Sequence, residues 1–181
     1  MPRRSTPRID PIPLSDWDEN ITRLAGKGEP FNIFKTLAHH PDLMRRWTVF
    51  GNHILSKSTL PAREREIAIL RIGWRCQSEY EFGQHTRIGL DCGLSEDEIV
   101  AITKDIDAGS WSAADAAILR ATDELHEYHD ISDETWAALA ETWSDQQLMD
   151  LVFTVGQYTL VSMALNTFGV QLDDGVPPFP G

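Results

Sequence analysis

Positive charge is scarce in this sequence, and so are cysteines and long apolar runs. Lys and Arg number 16 against 28 Asp and Glu, a net charge of −12. A chain this acidic lacks the basic face that neutralises phosphates, which speaks against a nucleic-acid partner. An anionic membrane surface is disfavoured for the same reason. No uninterrupted apolar run reaches the length that spans a bilayer. The opening MPRRSTPRIDPIPL has early arginines with no apolar stretch behind them, so it does not read as a secretory signal. The only cysteines, Cys76 and Cys92, form neither a Cys-x-x-Cys nor a disulfide framework. These absences point to a reduced, cytoplasmic protein with a small-molecule partner. An anionic substrate remains open to it if a few cations line the pocket.

Sustained period-two alternation is absent as well, which argues against a sheet. Apolar residues instead recur at three and four. In REIAILRIGW, Ile67, Leu70 and Trp74 share a face that Ile69 and Ile72 broaden. Near the C-terminus Leu148, Leu151, Val152, Val155, Leu160 and Met163 continue the pattern for about five turns. Helix starts are marked at Ser15, Ser95, Ser112, Ser132 and Ser144. Ser95 with Glu98 and Ser144 with Gln147 fit the capping box. Pro41 and Pro61 suit first turns, and Gly93 and Gly109 suit helix ends. The 181 residues, 41% hydrophobic with six Trp, predict one all-α domain over 1–181 with eight or nine helices. Residues 1–13 and 172–181 read as Pro-rich extended arms, either frayed or laid on a neighbouring subunit.

The stretch EYEFGQH places Glu81 four residues before His85, on one helix face, with Ser78 on the same side. Glu66, on the preceding helix, lies four before the apolar Leu70 and so faces inward. A short connection near residues 76–78 would fold the two helices into a hairpin. A buried carboxylate needs a partner, and His85 or Arg71 could supply it. Two carboxylates and an imidazole suit proton transfer. They could also ligate a divalent cation, although Ser78 is a poor fourth ligand.

The segment PAREREIAILRIGWRCQSEYEFGQHTRIGLDCGLSEDEI resembles the core of the carboxymuconolactone decarboxylase / alkylhydroperoxidase-D-like family. The resemblance implies an alkylhydroperoxidase-D-like helical fold with a central helix hairpin, assembled as trimers or hexamers. In the peroxidase branch a Glu precedes a Cys-x-x-Cys and a His. Those positions fall here on Glu66, on Ser78 and Glu81, and on His85, so the redox pair is absent. Tyr80 stands where peroxidases often carry a second His. The chain is therefore similar to the decarboxylase-like branch.

That similarity implies a cofactor-free acid/base enzyme, a decarboxylase or a related lyase or isomerase of small cyclic acids or lactones. His85 would deliver a proton, and Glu81 would orient it or act as base beside Glu66. Tyr80 and Ser78 would contact the substrate, and Arg71 or Arg87 would pair with its carboxylate. Two rival readings stay open. One is a thiol peroxidase using Cys76, which requires an accessible thiol of lowered pKa. The other is a non-catalytic ligand binder whose polar groups satisfy one another.

Overall fold

The computed structural model describes residues 4–25 and 28–180 and is all-helical over them. The outer ends of the two arms, residues 1–3 and 181, lie outside the described residues. Three peripheral helices come first: α1 (Glu19–Ala25), α2 (Asn32–Leu37) and α3 (Pro41–Lys57). The central hairpin follows, α4 (Ala62–Arg75) and α5 (Glu79–Asp91). Then come α6 (Glu96–Ile102), α7 (Ala113–Tyr128), α8 (Asp133–Ala140) and α9 (Asp145–Phe168). The expected start signals operate. Ser95 and Ser144 close capping boxes, Ser112 and Ser132 accept from their N3 backbone amides, and Pro41 opens α3. Ser15 falls in a 3-10 turn instead, and Asp18 accepts from the Ile21 amide at the start of α1.

α4 is the core of the molecule. Residues 65–73 are all buried, and α5, α6, α7 and α9 pack around them. Ile67, Ile69, Leu70 and Ile72 are fully enclosed. Each such side chain contributes about 1.5–3 kcal/mol of hydrophobic stabilisation. The hairpin turns at Cys76–Ser78, where Gln77 takes a left-handed φ of 53° and the Ser78 amide donates to the Gly73 carbonyl. Gly73 faces Phe82 and Glu81, while Gly89 faces Leu70 and Glu66. A β-carbon at Gly73 would make ordinary contacts of 3.5–3.7 Å, whereas one at Gly89 would crowd Leu94 and Leu70 at 3.1 and 3.3 Å, so Gly89 is where α4 and α5 approach most closely.

α9 departs from expectation in two respects. Its first turns bury Leu148, Leu151 and Val155, but Leu160 and Met163 face outward. Tyr158, Val161, Ser162 and Leu165 supply the inward face there instead. By length and composition α9 could also cross a membrane, at mean hydropathy 1.4, although Asp150, Gln157 and the hydroxyl residues interrupt its apolar run. Half of that window is buried inside the protein, as befits a core helix.

The arms lie on their own chain. The Arg8 amide donates to the Phe168 carbonyl, and the Ile12 amide donates to that of Lys35. In the C-terminal arm Asp173 accepts from the Tyr80 hydroxyl at 2.5 Å, from Gln84 Nε2 at 2.7 Å and from the Asn32 amide at 2.8 Å. Phe179 closes an aromatic cluster with Trp74 and Phe82. Gly83 is where this arm crosses α5. A β-carbon there would clash with the Pro177 carbonyl and sit 2.6 Å from Val176 Cγ1. Gly83→Ala is expected to cost about 1–3 kcal/mol by overpacking. It should also raise amide hydrogen exchange selectively over residues 173–179, and unchanged exchange there would contradict the packing.

Candidate active site

Glu66, Glu81 and His85 meet where α4, α5 and α9 join. His85 Nδ1 lies 2.5 Å from Glu66 Oε2, and its Nε2 lies 3.0 Å from Glu81 Oε1. Glu66 is wholly enclosed, and the other two are 5% and 4% exposed. Arg65, also buried, brings its Nε to 3.4 Å from Glu66 Oε1. Both ring nitrogens of His85 thus face carboxylates, which suits an imidazolium donating twice. Burial works against that charge, but Glu66 and Glu81 outweigh it and push the pKa of His85 up to about 10. Two carboxylates, one imidazolium and one guanidinium sum to zero charge, so the cluster does not repel an anionic acid. Among the described residues no group of three or more His, Cys, Asp or Glu is arranged to hold a metal ion.

The raised pKa fixes a pH dependence for stability. The folded state holds the His85 proton to about pH 10, while an unfolded chain releases it near 6.5. The contribution is complete below about pH 6.5 and lost as pH rises through about 10, with a slope of up to roughly 1.4 kcal/mol per pH unit between. Urea melts over this range should show that decline in the native protein and its absence in His85→Gln.

Other residues singled out from the sequence lie elsewhere. Tyr80 is buried against Val161, Leu165 and Val170, and its hydroxyl is engaged with Asp173. Arg71 faces away from His85, toward α7. Its guanidinium grips Asp123 at 2.8 and 2.6 Å and donates to the Ile102 and Lys104 carbonyls. Glu66 accordingly pairs with His85 and Arg65, not with Arg71. Arg87 is exposed on the outer side of α5. Ser78 is fully buried at the start of α5, and its hydroxyl has no partner.

Cys76 has its sulfur 3.8 Å from His126 Nδ1, and burial pushes the thiol pKa up, the reverse of what a peroxidatic thiolate needs. Cys92 sits at the far end of α5, a 13-residue helix. At 1.5 Å per residue that separates the two cysteines by about 20 Å.

Two neighbours of the site escaped the sequence reading. Arg65 precedes Glu66 in a charged RERE run that reads as a solvated helix start. Tyr158 comes from α9, and its ring stands edge-on to His85 with centroids 4.8 Å apart. No local spacing connects residues 85 and 158.

The comparisons agree with this geometry. A sequence model of the carboxymuconolactone decarboxylase family matches residues 41–124, the span from α3 to the last turn of α7. No curated protein matches the chain by sequence. Among solved structures, the alkylhydroperoxidase AhpD core of a peroxidase-related protein from Ralstonia eutropha JMP134 is similar. Its TM-score is 0.82 at 20% identity, over 94% of this chain and 97% of that one. A peroxidase-related protein from Silicibacter sp. TM1040 gives 0.77 at 14% identity, over 96% and 93%. A cysteine-to-alanine form of the debrominase Bmp8, in complex with 2,3,4-tribromopyrrole, gives 0.76 at 12% identity, over 94% of each chain. At these identities the likeness is one of fold. Together with the family match, which spans the helices that carry Glu66, Glu81 and His85, it shows the alkylhydroperoxidase-D-like fold with a core similar to that of the carboxymuconolactone decarboxylase family.

Proposed function

We propose that the chain is a cofactor-independent acid/base enzyme acting on a small cyclic carboxylic acid or lactone, as a decarboxylase or a related lyase or isomerase. The observation that carries this reading is the buried Glu66–His85–Glu81 relay, a proton held between two carboxylates. In a decarboxylation, the bond from ring carbon to carboxylate breaks and its electron pair moves to a conjugated carbonyl oxygen. Carbon dioxide leaves. The ring carbon then takes the proton that His85 holds, passed on through Glu81, and His85 regains one from water with Glu66 behind it. In an isomerisation the same pair would remove and return a proton. The relay is closed in the isolated chain, so substrate entry requires a local opening that binding drives. The test is solvent-deuterium incorporation, followed by NMR, across a panel of lactone and cyclic acids. The native protein should exchange at least one of them.

A ligand binder without turnover is the second reading. The observation in its favour is the closure of the cluster, whose charged groups satisfy one another. A native protein that binds members of the panel yet exchanges none would favour it.

We also propose a homo-oligomer, a trimer or hexamer as the family resemblance implies. Met149, Phe153, Leu160 and Met163 are each more than half exposed and recur at three and four along α9 around Gly156. A contiguous apolar stripe of this kind marks an interface. Sedimentation at micromolar concentration should show the assembly, and monomer alone would contradict it.

A further inference from the structure

Three buried residues, at the start of α5 and on α9, carry hydroxyls without a hydrogen-bond partner. Tyr158 is 5% exposed, its ring lies against His85 at an interplanar angle of 82°, and its hydroxyl has no partner among the described residues. Thr154 lies one turn before it on the inward side of α9, fully buried with an unpartnered hydroxyl, while Ser162, one turn after it, turns its hydroxyl toward the Cys76 thiol. Ser78, three residues before Glu81 at the N-cap of α5, is the third. A buried hydroxyl normally finds a partner, and one left open costs about 1–3 kcal/mol. Apolar side chains of similar size would fill this space without that cost. What the chain retains is hydroxyls it does not use itself, one of them on the tyrosine whose ring packs against His85.

We propose that the Tyr158 hydroxyl, with Thr154 beside it, receives the carbonyl oxygen of a small oxygen-bearing ring acid and holds the negative charge that develops there. The inference rests on the acid/base reading above and assigns the carbonyl-binding group that reading lacks, since Tyr80 is committed to Asp173. As the bond to the departing carboxylate breaks, its electron pair reaches the carbonyl oxygen and forms an enolate. Tyr158 donates a hydrogen bond to that oxygen and keeps its own proton. Burial, and then the charges of Glu81 and Glu66, push the phenol pKa well above its ordinary value, so it stays a donor at any physiological pH. A donor set against developing charge in a dry site is worth more than the same bond in water.

The test uses two probes and isothermal titration calorimetry on the full chain. Paraconate (5-oxotetrahydrofuran-3-carboxylate) has the lactone carbonyl, and cyclopentanecarboxylate has the ring and carboxylate alone. Tyr158→Phe should weaken paraconate binding about tenfold, the scale of one well-placed hydrogen bond. It should leave cyclopentanecarboxylate within twofold. Tyr128→Phe, at an exposed tyrosine, should change neither. Equal paraconate affinity in the native protein and Tyr158→Phe overturns the proposal. So does equal weakening for both probes, or no native binding of paraconate at millimolar concentration. Exchange that survives in Glu81→Gln overturns the acid/base reading instead, and leaves the binding comparison to decide the role of Tyr158.

Discussion

Glu81→Gln and His85→Ala are each expected to lower the rate of deuterium exchange or turnover about a hundredfold or more, the usual scale for losing a general acid or base. The amide at position 81 keeps the size of the carboxylate but can neither accept nor relay a proton. Alanine at 85 removes the proton and severs the link to Glu66. The double replacement Cys76→Ser with Cys92→Ser should stay within a few-fold of native. A thiol peroxidase needs one thiolate to attack and a second to resolve the sulfenic acid. By the resemblance, Ser78 and Glu81 stand at the positions of the redox pair, and the two cysteines flank the two ends of α5. Steady-state rates on folded variants decide the matter. A dead double-cysteine variant beside an active Glu81→Gln would replace the acid/base account with a thiol one.

The second large effect concerns stability. Glu66→Leu should destabilise the fold by about 3–5 kcal/mol, because it strands a buried imidazolium and removes the partner of Arg65. At roughly 2–4 °C per kcal/mol for a chain of this size, the melting temperature should fall by about 10 °C. Glu66→Gln, which keeps the hydrogen bond and loses the charge, should lie in between. The shift should shrink toward pH 10, where His85 gives up its proton and the charge at 66 loses its purpose. A loss for Glu66→Leu below about 1 kcal/mol would mean that the relay is not an ion cluster.

Some of this was legible in the chain and some was not, for physical reasons. The hairpin could be read because its causes are local. Glu66 lies four residues from Leu70, Glu81 four from His85, and a three-residue turn folds one helix onto the other. The capping boxes at Ser95 and Ser144 are local too. The orientation of Arg71 was not readable. It lies one position from Leu70 on a helix buried on all sides, so every direction is inward, and only Asp123 on α7 decides which one it takes. The engagement of Tyr80 was not readable either, because its partner, Asp173, arrives 93 residues later on an arm that reads as loose. Tyr158 left no trace, since a lone tyrosine in an apolar helix reads as packing. Gly89, where a β-carbon would crowd Leu70 and Leu94, gave no sign of that role before the facing residues were known.

The central claim is that His85 is an imidazolium held between Glu66 and Glu81, and nitrogen-15 NMR of the labelled histidine side chains tests it most directly. The account predicts that one of the six imidazoles shows two protonated ring nitrogens from about pH 5 to 9, titrates only near 10, and disappears from the spectrum in His85→Gln. A His85 signal that titrates near pH 6.5, or that reports a single neutral tautomer at pH 7, would contradict it.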